Sequence, residues 1–178
     1  MTSSDKSRLH IVRRWFGSVL KGEKEMSFYL IPGKYSEQQI AVIEKFCPRY
    51  APDAKVLYLG DALDEAAIYE KEQLEQLGIS ATAFNNLPDI ILYNEAGNQL
   101  YLIEAGISHR VVTHKRRHEL EELFQGCSAI CIYVSVFLNH AEFRRYVSRI
   151  AWESHVWIAT MPEHMIHYNG DRFLEPHE

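Results

Sequence analysis

The segment LPDIILYNEAGNQLYLIEAG, residues 87 to 106, constrains the fold of this chain more than any other stretch. Two apolar runs flank Glu95-Ala96-Gly97-Asn98, a turn sequence, and so read as a β-hairpin. A turn centred on Ala96-Gly97 sets Ile91 opposite Leu102 and Tyr93 opposite Leu100 on one face. It sets Ile90 opposite Ile103 and Leu92 opposite Tyr101 on the other. Both faces are apolar, which calls for a central strand pair covered on two sides. The same register puts Asp89 directly opposite Glu104, with β-carbons ~5 Å apart. Two facing carboxylates cost stability unless a cation lies between them. A hard divalent ion such as Mg²⁺ suits such a pair, because it takes one or two carboxylates and keeps other positions for water and phosphate. The plainer readings are a shifted register or two carboxylates solvated at a sheet rim.

The rest of the chain sets limits on what surrounds the hairpin. Its 178 residues suffice for one ordinary domain, and 47% of them are apolar, enough for a core. The formal charge of −5 excludes a globally basic nucleic-acid binder, so DNA contact must come from local patches. The three cysteines, Cys47, Cys127 and Cys131, stand in apolar surroundings at non-metal spacings, which reads as reduced thiols and a cytoplasmic location. No run reaches the ~18 apolar residues of a membrane span, and no signal peptide is legible.

Along the chain, residues 1–25 read as an N-terminal helical extension, with a helix over Leu9 to Leu20, and residues 26–178 as one domain. Ser36 caps a helix bearing Ile40, Ile43 and Phe46 at helical spacing. KVLYLGD, ending at Asp61, is a strand, and residues 62–77 read as a helix closed by Gly78. After the hairpin, Thr113 opens the helix HKRRHELEELFQ. CSAICIYVSVF is a buried strand, Asn139 caps a further helix, and HVWIATMP is the last strand. The expected fold class is α/β, a mixed sheet flanked by helices.

A Pro-Asp pair, a hairpin and an acid closing its second strand resemble the PD-(D/E)XK nuclease superfamily. More specifically, the chain resembles the C-terminal endonuclease domain of the BsuBI/PstI family of type II restriction enzymes. The stretches that carry the resemblance are IPGKYSEQQIAVIEKFCPRYAPDAKVLYLGD, LPDIILYN, LYLIEAGISH, KRRHELEELF and IAWESHVWIATMPEHMIHYNGDRF. The resemblance implies a restriction-endonuclease-like fold over residues 26–178 and site-specific, Mg²⁺-dependent hydrolysis of double-stranded DNA by a metal-activated water. It implies a homodimer and a cognate DNA methyltransferase. It makes Asp89 and Glu104 the Mg²⁺ ligands. The motif lysine belongs at position 106, which here is Gly106, and Lys115 is the candidate replacement; its plain alternative is a solvated pair with Glu119.

Asp61, Ser108 and His109 are possible additional site residues, with Asp61 otherwise an ordinary cap and His109 a loop histidine. Arg110, Arg116 and Arg117 form the candidate DNA contact, while Arg144, Arg145 and Arg149 read as a solvated face. The rival function is a catalytically silent relative that binds DNA or protein. The single glycine in KVLYLGDALDEA is a weak nucleotide-binding signal, and His114 with His118 a weak zinc signal.

Overall fold

The computed structural model describes residues 9–16, 23–30, 32–60, 66–80, 86–106 and 110–170; for 9–16 and 23–29 it describes the backbone alone. The chain begins with strands Leu9–Phe16 (β1) and Glu23–Leu30 (β2), paired antiparallel with Leu9 opposite Leu30. The helix expected over Leu9 to Leu20 is therefore a strand through Phe16. Its backbone pairs with β2 residue for residue, from Leu9 opposite Leu30 to Phe16 opposite Glu23, in place of the internal bonds of a helix.

A continuous helical run follows: α1 (Lys34–Ala41), a π-helical turn Val42–Phe46, and α2 (Cys47–Tyr50). The helix starts at Lys34, two residues ahead of Ser36, whose hydroxyl instead donates to the Gly33 carbonyl at 2.8 Å. The widened turn stands just before Pro48, which has no N–H to extend an α-helical ladder.

Strands β3 (Lys55–Gly60) and β4 (Ala66–Tyr69) pair antiparallel, and a short helix α3 (Lys71–Gln76) comes next. The single helix expected over 62–77 is thus divided: Ala66–Tyr69 completes a sheet edge, and among the described residues of that span Lys71–Gln76 is helical. Gly78 does end this helix, at φ +89, and a β-carbon there would lie 2.2 Å from the Gly126 carbonyl oxygen. The two glycines let the ends of α3 and of the later helix α4 (His114–Leu123) meet backbone to backbone.

The hairpin, β5 (Ile90–Asn94) and β6 (Gln99–Ala105), has the register read from the sequence, with Ile90 opposite Ile103, Ile91 opposite Leu102 and Tyr93 opposite Leu100. Then come α4, β7 (Ile130–Phe137), α5 (His140–Phe143), a 3-10 turn Val147–Arg149, β8 (Ser154–Ile158) and β9 (Met165–Tyr168). Asn139 caps α5 by accepting from the Glu142 N–H at 3.0 Å, but the helix lasts only to Phe143.

Seven strands form one mixed sheet in the order β4-β3-β5-β6-β7-β8-β9, with β6, β7 and β8 parallel and the remaining pairs antiparallel. The hairpin is interior. Ile90, Leu92, Tyr101 and Ile103 face a core with Val42, Ile43 and Phe46 from the helical run. Ile91, Leu100 and Leu102 face a second core with Leu74 of α3 and Leu120 and Phe124 at α4. Burying side chains of this size contributes roughly 1.5–3 kcal/mol each. Helices on both faces explain why neither face of the hairpin is polar, and its base is left at a sheet end under α1 and α4.

Candidate active site

Asp89 stands just before β5 and Glu104 one residue from the end of β6, so the strand ladder itself delivers both carboxylates to one end of the sheet. Both are buried, Glu104 completely. Asp89 is held from two sides: its Oδ2 accepts from the Ala105 N–H at 2.7 Å, and its Oδ1 from the Tyr35 hydroxyl at 2.9 Å. Tyr35 comes from the first turn of α1. The backbone adds a third tie, because the Gly60 N–H donates to the Asp89 carbonyl at 2.9 Å and binds the end of β3 to this corner.

Glu104 is held from the other side of the sheet. Arg116 Nε donates to its Oε1 at 2.6 Å, while Oε2 is buried without a hydrogen-bond partner. Arg116 arrives because Thr113 caps α4, its Oγ1 accepting from the Arg116 N–H at 3.1 Å. The segment before α4 is anchored in turn by Ser135 of β7, whose Oγ accepts from the Val112 N–H at 2.9 Å. Ser135 lies beside Glu104 in the parallel β6–β7 ladder.

Burial dominates the electrostatics. It raises the pKa of Asp89 above the usual carboxylate range, against the opposing pull of the Ala105 N–H, Tyr35 and Arg110. Burial and then the Asp89 charge push Glu104 up to about 8, against Arg116 and Arg110. An Nε–O distance of 2.6 Å belongs to a charged pair, whereas a pKa of about 8 describes a group that keeps its proton at neutral pH. Both hold if the two neighbouring carboxylates share one proton and one negative charge. Burial likewise raises Tyr35, so it stays a hydroxyl donor.

This arrangement fits a divalent ion. The donors are hard carboxylate oxygens, one of them is an orphaned buried atom, and the pair lacks the positive charge needed to ionise fully. Among the described residues no group of three or more His, Cys, Asp or Glu could hold a metal, and the described donors for such an ion are the two carboxylates. No helix among the described residues is long and apolar enough to cross a membrane.

Residues 19–171 match the BsuBI/PstI restriction endonuclease domain. The chain belongs to the BsuBI/PstI restriction endonuclease family. It is 42% identical over 150 residues to the type II restriction enzyme BsuBI of Bacillus subtilis, covering 84% of this chain and 48% of that protein. To the type II restriction enzyme AplI of Arthrospira platensis it is 33% identical over 155 residues, covering 83% and 48%. Among solved structures it resembles the SdaI restriction endonuclease, with a TM-score of 0.78 and 32% identity over 97% of this chain and 51% of that one. The restriction-endonuclease-like α/β fold is thereby established, and the chain spans about half the length of the curated relatives it matches.

Within this BsuBI/PstI fold position 106, where the resemblance to the superfamily motif calls for a lysine, has no room for a side chain. A β-carbon at Gly106 would lie 2.5 Å from the Phe137 ring and 3.1 Å from the Val136 carbonyl oxygen. Phe137 is fully buried and packed against Phe143 and Tyr146, so it cannot swing aside cheaply. Lys115 is not brought to the carboxylates: it is 88% exposed and pairs with Glu119 at 3.7 Å. The α4 turn that carries it puts the next residue, Arg116, toward the sheet.

The three arginines read as DNA contacts part company. Arg116 is 15% exposed and is spent on Glu104, Glu119 and the Asn86 and Leu87 carbonyls. Arg117 binds Glu121 and Glu153 at 2.7 Å each, donates to the Trp152 carbonyl and stacks over Tyr133. Arg110 is 51% exposed and stands 3.8 Å from Asp89 Oδ1, at the edge of the site. Asp61, Ser108 and His109 lie outside the described residues.

Sequence reasoning missed Tyr35. Nothing in KYSEQQI marks it, since its partner is 54 residues away. It read Arg116 as a DNA contact and not as the partner of Glu104. One signal was available for that residue: the first turn of α4 holds Lys115, Arg116 and Arg117 and no acid, the reverse of what a helix dipole favours.

Proposed function

We propose that this chain is the DNA-cleaving domain of a type II restriction endonuclease, hydrolysing phosphodiester bonds of double-stranded DNA with Mg²⁺. The observation that carries this reading is the buried Asp89–Glu104 pair, with one carboxylate oxygen unpartnered, at the sheet end of a chain from a restriction endonuclease family.

Asp89 and Glu104 would hold the ion. Bound there, Mg²⁺ would acidify a water and offset charge on the phosphodiester. Tyr35 and the Ala105 N–H fix the Asp89 carboxylate in place before any substrate arrives. Arg110, half exposed beside Asp89, is positioned to meet a phosphate at the mouth of the site. The N-terminus of α4, with its cations, adds positive potential on the same side. A homodimer would set one such site against each strand of a palindrome. A cognate methyltransferase would protect host DNA, and the reaction would take place in the cytoplasm.

The test is incubation of the purified chain with supercoiled plasmid, with Mg²⁺ or with EDTA, beside Asp89→Ala. Discrete Mg²⁺-dependent fragments, absent with the variant, are expected. Nicking without discrete bands would place sequence choice outside this chain. No cleavage by folded protein on several DNAs, with Mn²⁺ as well, would overturn the reading in favour of a silent DNA-binding relative. That second reading draws on one observation, the closure of position 106 by Phe137.

A further inference from the structure

The carboxylate pair needs a fixed cation, and the usual place for one is filled by a phenyl ring. Among the described residues two cations reach the pair: Arg110 at 3.8 Å from Asp89, and Arg116 at 2.6 Å from Glu104. They are not equivalent. Arg110 is half exposed, and Asp89 is the one protein contact described for its charge. Arg116 is almost enclosed, and its fork is locked: Nε on Glu104, Nη2 on the Asn86 and Leu87 carbonyls at 3.0 and 3.3 Å, Nη1 toward Glu119 at 3.5 Å.

Two of those partners, Asn86 and Leu87, immediately precede Pro88-Asp89. One guanidinium therefore ties the segment leading into the first acid to the side chain of the second. A planar fork with five donors can do this, and an ammonium on a flexible stem cannot do it in the same geometry. The position is also costly for α4, because a cation at a helix N-terminus opposes the dipole.

Resting on the nuclease reading above, we infer that Arg116 is the positioning residue and resident counter-ion of the site, taking over the charge of the missing lysine from the opposite direction. It holds Oε1 of Glu104, leaves Oε2 as the ligating atom, and balances the pair when no divalent ion is bound. Its donors are committed to the protein, so it acts through Glu104 and not on the phosphate.

This assigns Arg116 an unusual pair of effects. Removing its charge removes the repulsion that a divalent ion meets beside ionised Glu104, so metal binding to the ionised pair tightens. Removing its fork lets the Glu104 carboxylate turn, so cleavage slows. The experiment titrates Arg116→Gln, Arg116→Lys and wild type with Mn²⁺ alone at a series of pH values, read by electron paramagnetic resonance and compared at the high-pH limit where proton competition for Glu104 has vanished, and measures kcat and KM on plasmid DNA.

Arg116→Gln is expected to bind Mn²⁺ roughly threefold or more tighter, since a nearby unit charge has gone. Its kcat is expected to fall about tenfold or more through misplacement of a reacting group, with KM for DNA within about twofold. Arg116→Lys keeps the charge, so it retains the wild-type Mn²⁺ affinity and recovers part of kcat. In a Glu104→Gln background the Arg116→Gln effect on Mn²⁺ disappears.

A raised KM with unchanged kcat and Mn²⁺ affinity would make Arg116 a plain phosphate contact and overturn the inference. Weaker Mn²⁺ binding and lower melting temperature in both Arg116 variants would make it a scaffold staple and also overturn it. If Arg116→Gln does not fold, Arg116→Lys decides alone: equal Mn²⁺ affinity with reduced kcat upholds the inference, and weaker affinity refutes it. If wild type does not cleave, the nuclease reading fails, yet the Mn²⁺ titration still decides: tighter binding by Arg116→Gln upholds the counter-ion role, and equal or weaker binding removes it.

Discussion

The Tyr35 hydroxyl donates to Asp89 Oδ1 at 2.9 Å and so ties the first turn of α1 to the first acid of the hairpin. The residue that aims Asp89 thus belongs to the helical layer on one face of the sheet, while Arg116, which aims Glu104, belongs to the helix on the other. Tyr35→Phe removes the bond and keeps the ring. It is expected to lower cleavage about tenfold, as a small misplacement of a reacting group does. Loss of one hydrogen bond to a charged group costs roughly 1.5–3 kcal/mol of stability. Cleavage rates and urea unfolding of the variant check both, and an unchanged rate would reduce Tyr35 to a structural tie.

Gly106→Lys supplies a lysine where the resemblance to the superfamily motif calls for one, and it is expected to harm the protein. The new β-carbon meets the buried Phe137 ring at 2.5 Å, and overpacking of this kind costs typically 1–3 kcal/mol. The double variant Gly106→Lys with Phe137→Ala should tolerate the side chain better than the sum of the single effects, a coupling that a double-mutant cycle in denaturant measures.

Lys115→Ala is expected to change stability by less than about 0.5 kcal/mol, because an exposed i,i+4 pair is worth little. Cleavage should stay within about twofold, as expected of a surface substitution with no buried partner. A loss of activity much larger than that would show that Lys115 turns inward when DNA binds.

The metal-free protein should lose stability as pH rises. Glu104 holds its proton in the folded state up to about 8, well above the 4.5 of an ordinary glutamate. Between those values the folded state binds a proton that the unfolded state has released, so the stability it confers is complete below the lower value and gone above the higher. Asp89, also raised, adds to the same trend. Denaturant unfolding at several pH values across this window should show the slope, Glu104→Gln should flatten it, and saturating Mg²⁺ should reverse it by favouring the ionised pair. A flat profile in wild type would mean that Arg116 alone keeps Glu104 ionised.

The hairpin was legible because a strand pair repeats every two residues and its turn is local. Ile90, Leu92, Tyr101 and Ile103 on one face, with Ile91, Leu100 and Leu102 on the other, announced a central position, and the register followed from Ala96-Gly97. That register alone placed Asp89 beside Glu104. The family was legible for a similar reason, since it resides in contiguous stretches. The elements misread were β1 and β4. Leu9–Phe16 and Ala66–Tyr69 are strands because neighbouring strands, β2 and β3, supply their hydrogen bonds, which their own residue pattern does not announce.

What the sequence by itself determined, then, is the pair of acids and the strands that carry them, both fixed by local periodicity. Which groups surround the acids was decided in three dimensions. Tyr35 is 54 residues from Asp89, Arg116 is 12 from Glu104 across a loop, and Phe137 fills the space beside Gly106 from the next parallel strand. These contacts depend on how layers stack and on which way one helical turn faces. A rotation of α4 by one residue would exchange Lys115 for Arg116 over the same carboxylate, and the cap at Thr113 together with burial of Leu120 and Phe124 settles that rotation.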